Sequence, residues 1–508
     1  MKPTLRKRKA EQQPAAPPLR RPKPSTKHKG TGDPGDPPRG KRLLPSVVDD
    51  IAKHAPDTVF ASTGRSSGTF EDFTYAQLAN AVDRTAQWLQ SQASSQLQLR
   101  STMAYLGPSD LRYIALILAA LKVGIVMFLP SPHNPVEAQK ELLRATSSQV
   151  LVCSKDFGQT GADVIADSEV PIAILPELAE LFDDARIEHM PYEKKYAREK
   201  DQPFVILHTS GTTGTPKLVP LSHAYYAYED LSQGQEYAGS ITSAPFTAKP
   251  RCLTTAPMWH AGGIFFGLLK PILNQVVPVL PPLGLPITAE VADTCLKTGK
   301  IDILQAAPSL LADMSADARY VPSLKGLKHI IMSSGPMGNN DGDKLLSINA
   351  NTLHFFGATE TDLLPLSPLE NPTTDWQYHH FHPLSGATFR KISVDMYELI
   401  IKQVPNAVQP YFSCNPKGKE FSTKDVFSPH PTKSNLWTFD CRLDDIITFS
   451  TGEKMNPTTF EAAISGPGTF TLIVGQGRKQ PALLVCMVRS PASAWLDSMW
   501  PRIEAANA

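Results

Sequence analysis

Residues 204–217 read FVILHTSGTTGTPK, and this stretch is the most informative part of the sequence. Its first four residues are apolar, which is typical of a buried strand, and the Ser, Thr and Gly residues that follow are typical of a loop. Glycines let backbone N–H groups turn toward an anion, hydroxyls add donors, and Lys217 adds a positive charge. The stretch predicts a strand followed by a phosphate-binding loop, with a plain flexible loop as the alternative. It is not a Walker A loop, because Pro216 precedes the lysine and Leu218 follows it.

Strands alternate with helices on both sides of this stretch. Apolar residues at helical spacing predict a helix from Thr74 to Leu89 with Thr74 as its N-cap, and a second helix from Pro108 to Leu121. Short apolar runs predict further strands, at 103–106, 125–129, 149–153, 253–256, 276–280, 301–305, 329–332, 352–355, 397–402, 436–439 and 446–449. This alternation predicts an α/β fold with parallel sheets and helices packed on their faces.

Charge is distributed unevenly along the 508 residues, whose net charge is only +1. Residues 1–45 hold 13 basic and 3 acidic residues and ten prolines, which leaves 37 basic and 46 acidic residues in the rest. Such a segment buries too little apolar surface to offset its ordering entropy. We therefore expect a disordered basic tail at 1–44. The run at 5–9, LRKRK, could be a nuclear-import or nucleic-acid patch, but a solvated tail is the simpler interpretation and we expect no nucleic-acid partner.

Composition also argues against secretion and membrane insertion. The six cysteines contain no C-x-x-C pair and no zinc spacing, which is typical of reduced thiols. The most apolar stretch, 113–130, is interrupted by Lys122 and Gly124 and is shorter than the roughly 20 residues that cross a bilayer. No signal-peptide pattern begins the sequence, so we expect a cytoplasmic protein without a membrane partner.

The order Ser-Gly-Thr-Thr-Gly-Thr-Pro-Lys after an apolar strand resembles the signature loop of the adenylate-forming (AMP-binding) superfamily. That superfamily includes acyl-CoA synthetases, nonribosomal-peptide adenylation domains and luciferases. The resemblance implies ATP and Mg²⁺ as cofactors, and a large α/β domain with a small β-barrel region followed by a small α+β domain. It implies that Lys217 is catalytic and that the loop binds nucleotide through Thr209, Ser210, Gly211, Thr212, Thr213 and Gly214.

Residues 355–360, FFGATE, resemble the family's aromatic-Gly-x-Thr-Glu motif. The resemblance implies that Phe356 stacks on adenine beside Gly357 and Ala358, that Thr359 bonds phosphate, and that Glu360 helps to hold Mg²⁺. The chemistry agrees, because Mg²⁺ prefers carboxylate oxygen and several waters.

Residues 257–263, PMWHAGG, resemble the motif that borders the acid pocket. The resemblance implies pocket roles for Trp259 and Gly263 and a catalytic role for His260 at the border of the pocket, although His260 could instead be a buried core histidine. By the same resemblance Pro308, Ser334 and Gly335 face the acid. Apolar neighbours (Ile264, Phe265, Phe266 and Leu310) favour an aromatic or aliphatic acid over an amino acid.

Thr423-Lys424-Asp425 stands where the family has Thr-Gly-Asp, and a carboxylate such as Asp425 can accept hydrogen bonds from both ribose hydroxyls. The segment from Arg442 to Ile447 resembles the hinge before the C-terminal domain. The resemblance implies that Arg442 contacts ribose and phosphate and that Asp444 absorbs the hinge rotation. It predicts a core domain at 45–441 and a partial C-terminal subdomain at 442–508.

Several segments resemble the adenylation portion of fungal nonribosomal-peptide-synthetase-like reductases: 131–134, 375–376, 381–383, 424–427, 452–457 and 474–478. That resemblance implies a secondary-metabolism module that converts a carboxylic acid to an acyl adenylate and loads it onto a phosphopantetheine carrier domain supplied elsewhere. No segment after Arg478 resembles the family's C-terminal lysine motif, so we expect a truncated domain and weak activity. Two alternatives remain: a nucleotide-binding remnant without activity, and a free-standing acyl- or aryl-CoA ligase that uses CoA.

Overall fold

The computed structural model describes residues 37–93, 99–209, 216–234, 237, 239–450, 454–464, 469–487, 500, 501, 503 and 504. Six residues of the predicted phosphate loop lie outside the described residues, as does most of the predicted basic tail; the six are Ser210, Gly211, Thr212, Thr213, Gly214 and Thr215. From Arg39 to Ala508 the chain forms one compact unit. The domain boundaries at 44/45 and 441/442 stay predictions.

Helices and strands alternate through most of the described chain. The helices are α1 (Leu44–His54), α2 (Tyr75–Ala93), α3 (Arg112–Val123), α4 (Val136–Ala145), α5 (Gly158–Ile165), α6 (Leu178–Leu181), α7 (Tyr196–Glu199), α8 (Ala227–Leu231), α9 (Ala261–Ile264), α10 (Lys270–Asn274), α11 (Ala289–Thr298), α12 (Pro308–Ala316), α13 (Val321–Lys325), α14 (Asn339–Ile348), α15 (Pro410–Cys414) and α16 (Pro457–Ile464). The strands are β1 (Val59–Gly64), β2 (Phe70–Thr74), β3 (Thr102–Leu106), β4 (Val126–Phe128), β5 (Val150–Cys153), β6 (Ile172–Ile174), β7 (Pro203–Thr209), β8 (Lys217–Ser222), β9 (Arg251–Thr254), β10 (Val277–Leu280), β11 (Ile303–Ala306), β12 (His329–Met332), β13 (Thr352–His354), β14 (Gly357–Ala358), β15 (Asp362–Leu363), β16 (Tyr378–His380), β17 (Ala387–Ser393), β18 (Met396–Lys402), β19 (Glu420–Pro429), β20 (Leu436–Arg442), β21 (Ile447–Thr448), β22 (Lys454–Met455), β23 (Thr469–Val474) and β24 (Ala482–Met487).

Two largely parallel sheets confirm the predicted α/β fold. The six-stranded sheet has the order β6-β5-β3-β4-β7-β8, and the seven-stranded sheet has the order β13-β12-β11-β9-β10-β1-β2. All neighbouring strands are parallel except β7 with β8 and β1 with β2. Parallel connections need crossovers, and helices supply most of them here.

Alternating residues of each strand pack into different hydrophobic clusters. In β3, Met103 and Tyr105 belong to a cluster with α2 and α3, whereas Ala104 and Leu106 belong to a cluster with α4 and α5. Successive strand side chains point to opposite faces, so both faces of this sheet are covered by helices. The same division holds in the seven-stranded sheet, where neighbouring residues of β11 and β12 fall into two clusters.

The region predicted as a small β-barrel contains a five-stranded antiparallel sheet with the order β16-β20-β19-β18-β17. Its core is rich in aromatic rings, and Phe427 packs against Phe356 and Phe389 at ring-centroid distances of 5.1 and 5.7 Å. Two short hairpins follow, β21–β22 and β23–β24, with α16 packed against β23. Among the described residues, no helix combines the length and apolarity that a membrane span requires.

Helix starts follow local capping chemistry. The prediction of Thr74 as an N-cap is confirmed, because the Gln77 N–H donates to Thr74 Oγ1 at 3.2 Å and the Thr74 N–H donates to Gln77 Oε1 at 2.9 Å. The helix predicted from Pro108 begins later, at Arg112. There the Asp110 carboxylate accepts the Arg112 N–H at 2.9 Å, which holds the preceding residues in a turn.

A buried lysine joins the first three helices. Lys122 on α3 contacts Asp83 on α2 at 2.7 Å and Asp49 on α1 at 2.8 Å, and 1% of its side chain is exposed. Burial raises the pKa of Asp49, while the lysine opposes that rise. Removing one partner of such a cluster leaves buried charge without compensation.

We expect Lys122→Met to lower the free energy of unfolding by about 3 to 5 kcal/mol, because Asp83 and Asp49 lose their cation. Urea unfolding at neutral pH measures this change. The control is Lys140→Met, whose partners Glu137 and Asp167 are 79% and 72% exposed, and which should change stability little. Equal losses in the two variants would contradict the assignment.

Candidate active site

The residues predicted to form the acid pocket meet at one edge of the seven-stranded sheet. Strands β9, β11, β12 and β13 are adjacent and parallel, so the loops after their carboxyl ends lie side by side. In open α/β sheets this edge is where ligands bind. The loops carry the predicted residues in spatial order: Trp259 and His260 after β9, Pro308 after β11, Ser334 and Gly335 after β12, and residues 356–360 after β13.

A buried glutamine holds three of these loops together. Gln305 in β11 accepts a hydrogen bond from Thr254 Oγ1 at 2.7 Å, and its Nε2 donates to Ser333 Oγ at 2.8 Å. All three side chains are buried. Thr254 ends β9 and Ser333 directly follows β12, so the amide fixes the starts of the loops on either side. The sequence signal was a polar residue inside the apolar strand ILQA, which motif reasoning did not use.

The loop after β9 is organised by its own side chains. The Trp259 ring lies 5.5 Å from the ring of His133 and 6.1 Å from that of Tyr113. His260 is the N-cap of α9, and its Nδ1 accepts the Gly262 N–H at 3.2 Å. Desolvation lowers the pKa of His260, although part of the residue stays open to solvent. Gly263 allows close packing, because a Cβ there would lie 2.0 Å from the Pro257 carbonyl oxygen.

The strand before the phosphate loop is tied to the loop after β4. His208 Nε2 accepts the Ser131 N–H at 3.0 Å and lies 3.3 Å from Asn134 Nδ2. An imidazole nitrogen that accepts an amide proton must be unprotonated, and burial followed by repulsion from His260 lowers the pKa of His208. Thr209 pairs with Lys217 across β7 and β8, and Lys217 is exposed. The sequence motifs assigned no role to His208, although His208 directly precedes the phosphate loop.

The predicted nucleotide motif forms a tight hairpin after β13. A Cβ on Gly357 would lie 2.2 Å from the Asp362 carbonyl oxygen, so only glycine fits between β14 and β15. Phe356 is half-buried, and its ring lies 5.4 Å from that of His379. Burial lowers the pKa of His379 well below its usual value, so Phe356 lies against a neutral ring.

A β-bulge presents the predicted ribose ligand. Between two register pairs, β18 has one residue, Leu399, while β19 has three, residues 423–425. Thr423 Oγ1 fills the gap by donating to the Leu399 carbonyl at 2.9 Å, and Lys424 takes a left-handed backbone with φ of 65°. Such a bulge redirects the next side chain. The left-handed backbone explains why the family has glycine where this chain has Lys424.

Asp425 and Arg442 form an ion pair at this bulge. Arg442 Nη1 contacts Asp425 Oδ1 at 2.6 Å and donates to the Thr423 carbonyl at 2.8 Å. Burial raises the pKa of Asp425, Arg442 opposes the rise, and the nearby charge of Glu360 adds to it. Two predicted ligands from separate motifs, Asp425 and Glu360, therefore lie within electrostatic reach of each other.

Glu360 has the properties expected of a residue that binds Mg²⁺. It is half-buried, and no basic side chain of the described residues lies within ion-pair distance of it. Among the described residues, no three His, Cys, Asp or Glu side chains are grouped as a ready metal cage. Mg²⁺ does not require one, because it is usually held by one or two carboxylates together with waters and substrate phosphates.

Two sequence interpretations need revision or stay open. Ile264, Phe265, Phe266 and Leu310 are buried within hydrophobic clusters of the core, so they are not evidence for an apolar pocket. Asp444 lies in a short turn, Leu443–Asp445, directly after β20, and its hinge role stays a prediction. The preceding Cys441 is buried beside Val426, and burial raises its pKa to about 12.

The profile of the AMP-binding enzyme family matches residues 48–380. The chain belongs to the AMP-binding enzyme family. A second profile, that of the AMP-binding enzyme C-terminal domain, matches residues 444–508. The family resemblance of the sequence motifs is thereby confirmed.

Relatives of this AMP-binding chain include long fungal proteins. It is 30% identical over 484 residues to an isocyanide synthase-NRPS hybrid, crmA, of Aspergillus fumigatus, covering 92% of this chain and 30% of the relative. It is 29% identical over 491 residues to a carboxylic acid reductase of Neurospora crassa, covering 93% of this chain and 46% of the relative. The chain therefore spans less than half the length of these two relatives.

The fold is similar to that of solved AMP-binding enzymes. O-succinylbenzoate coenzyme A synthetase of Bacillus subtilis, in complex with ATP and magnesium, matches with a TM-score of 0.68 and 16% identity. The match covers 89% of this chain and 92% of that chain. At this identity the likeness establishes the fold alone.

The strained bulge makes a test of backbone geometry possible. We expect Lys424→Gly to raise the free energy of unfolding by up to about 1 kcal/mol. Glycine relieves the strain of a left-handed lysine backbone, which costs about 1 to 2 kcal/mol, but part of this gain is lost because glycine has more conformational entropy in the unfolded chain. Lys402→Gly is the control, because Lys402 is exposed in β18 where consecutive residues keep register with β19, and glycine there should destabilise. Urea unfolding should give opposite signs, and a loss in both variants would contradict the strain.

Proposed function

We propose that this chain activates a carboxylic acid by transferring AMP to it from ATP. A carboxylate oxygen of the acid attacks the α-phosphorus and forms a new P–O bond. The bond from that phosphorus to the oxygen bridging to the β-phosphate breaks, and pyrophosphate leaves with the electron pair. The products are an acyl adenylate and pyrophosphate, and the protein contributes positioning and charge stabilisation.

The observation that carries this proposal is the approach of Glu360 to the Asp425–Arg442 pair at the edge where the pocket loops meet. The charge of Glu360 is close enough to affect the pKa of Asp425. The Thr359–Glu360 turn comes after β13, which pairs with β12, and Ser334 lies in the loop after β12. Groups suited to ribose, phosphate and a divalent cation thus adjoin a cluster of loops suited to a second substrate. Membership of the AMP-binding enzyme family supports the same chemistry.

In the proposed reaction each polar residue has a defined task. Asp425 accepts hydrogen bonds from the ribose hydroxyls, and Arg442, already held by Asp425, reaches toward ribose and phosphate. The Thr359 hydroxyl donates to phosphate, and Lys217 with the Thr209–Gly214 loop surrounds the phosphate chain. Glu360 would hold Mg²⁺, whose charge stabilises the departing pyrophosphate when it is bound.

The acid is proposed to be aromatic, α-keto or aliphatic rather than an amino acid. The three described segments that directly follow β9, β11 and β12, at 255–263, 307–309 and 333–338, contain no Asp or Glu. An amino acid would bring an ammonium group, and a desolvated ammonium without a carboxylate is costly.

The finer proposal is that the chain is the loading module of a nonribosomal-peptide-synthetase-like system. The names of the fungal relatives, an NRPS hybrid and a carboxylic acid reductase, support this role. A carrier domain supplied elsewhere would offer phosphopantetheine as the thiol acceptor. CoA is the alternative acceptor, and formation of acyl-CoA from added CoA would favour the ligase role instead.

Exchange of labelled pyrophosphate into ATP tests the reaction directly. We expect acid-dependent exchange with at least one of benzoate, phenylpyruvate and octanoate, and none with phenylalanine. A reaction without added acid is the control. Absence of exchange with a broad panel of acids would contradict acid activation, and exchange with amino acids alone would contradict the proposed substrate class.

The ribose role of Asp425 is tested by a charge-neutral variant. We expect Asp425→Asn to weaken ATP binding about tenfold or more, because hydrogen bonds to a charged acceptor are worth about 1.5 to 3 kcal/mol. The matched control is Asp440→Asn on β20, whose carboxylate accepts from Ser428 Oγ at 2.6 Å and is not paired with Arg442. Calorimetric titration with ATP measures both, and equal affinities would exclude a ribose contact by Asp425.

A further inference from the structure

Tyr225 connects two segments of the proposed nucleotide site that are far apart in sequence. It follows β8 and is 3% exposed, and its hydroxyl donates to the Thr359 carbonyl oxygen at 3.0 Å. Thr359 and Glu360 form the turn proposed to bind phosphate and Mg²⁺. None of the family motifs found in the sequence includes this tyrosine.

Within the described residues, the turn that receives this hydrogen bond also has internal hydrogen bonds. The Thr361 N–H donates to the Ala358 carbonyl at 3.1 Å, and the Ala358 N–H donates to Thr361 Oγ1 at the same distance. These bonds shape the turn but do not attach it to the six-stranded sheet. The Tyr225 hydroxyl supplies that attachment.

The other end of the same segment carries the lysine of the phosphate loop. Strand β8 begins at Lys217 and ends at Ser222, and the Tyr225 N–H donates to the Ser222 carbonyl at 3.0 Å. This short stretch therefore has Lys217 at one end and the hydrogen-bond donor to the Thr359–Glu360 turn at the other.

The phenol is well suited to remain a donor. Burial raises the pKa of Tyr225 well above its usual value, and the nearby charges of Asp362 and Glu360 raise it further. The hydroxyl therefore keeps its proton, and its removal would leave the Thr359 carbonyl without this partner in a buried environment.

We propose that Tyr225 is a positioning residue for magnesium-bound ATP, holding the Thr359–Glu360 turn in register with Lys217 through its hydrogen bond to the Thr359 carbonyl. This inference rests on the proposed function. The tyrosine itself touches neither substrate nor metal. Its effect is to set where Glu360 lies relative to Lys217.

The test compares Tyr225→Phe with Tyr226→Phe. Tyr226 is also buried, and its hydroxyl is 2.7 Å from His223 Nδ1, so both variants lose buried hydroxyl contacts. We expect similar decreases in melting temperature. Calorimetric titration measures ATP affinity in the presence of Mg²⁺. We expect that affinity to fall about tenfold in Tyr225→Phe and to stay unchanged in Tyr226→Phe. In EDTA the two variants should bind ATP equally, because the position of Glu360 then matters less.

A double-mutant cycle separates positioning from general destabilisation. In the Glu360→Gln background, Tyr225→Phe should add no further loss of ATP affinity in Mg²⁺, because its effect acts through Glu360. Equal affinities of the two tyrosine variants in Mg²⁺, or a full additional loss in the Glu360→Gln background, would overturn the inference while the proposed function stands. Failure of the wild-type chain to bind ATP at all would overturn the proposed function and this inference with it.

Discussion

The parallel pairing of β9, β11, β12 and β13 is the constraint on which the rest of the site depends. Parallel strands end at the same edge, so four motifs that are distant in sequence emerge as four neighbouring loops. Their spatial order puts the nucleotide hairpin at one end and the Trp259 loop at the other. Gln305 hydrogen-bonds between three of these strands, so a shift of one strand would displace the loops on both sides.

The parts of the fold that could be predicted from sequence are those buried on both faces. The strand predicted at 329–332 has those bounds in the structure, because a central parallel strand is a continuous apolar run. The antiparallel sheet was less visible. Strand β17, ATFRKIS, mixes apolar, hydroxyl and charged residues and is half-exposed along its length, so no apolar run marked it.

The candidate site shows a similar division. Motifs located Asp425, Arg442 and Glu360, because their spacing to neighbouring residues is short and specific. Contacts between distant segments were not predictable, and the bond from Tyr225 to Thr359 spans 134 residues. Sequence also could not show that Phe265 and its neighbours lie in the hydrophobic core. Composition identifies an apolar residue but not whether it faces the core or a cavity.

Charge balance links the nucleotide hairpin to the bulge that carries Asp425. Glu360 and Asp425 interact unfavourably, and among the described residues Arg442 is the basic side chain paired with Asp425. In the proposed reaction ATP adds several further negative charges at this edge. The arrangement therefore favours nucleotide that arrives with its own divalent cation, because Glu360 then gains a partner instead of another repulsion. In the proposed reaction, this charge distribution favours magnesium-bound ATP over free ATP.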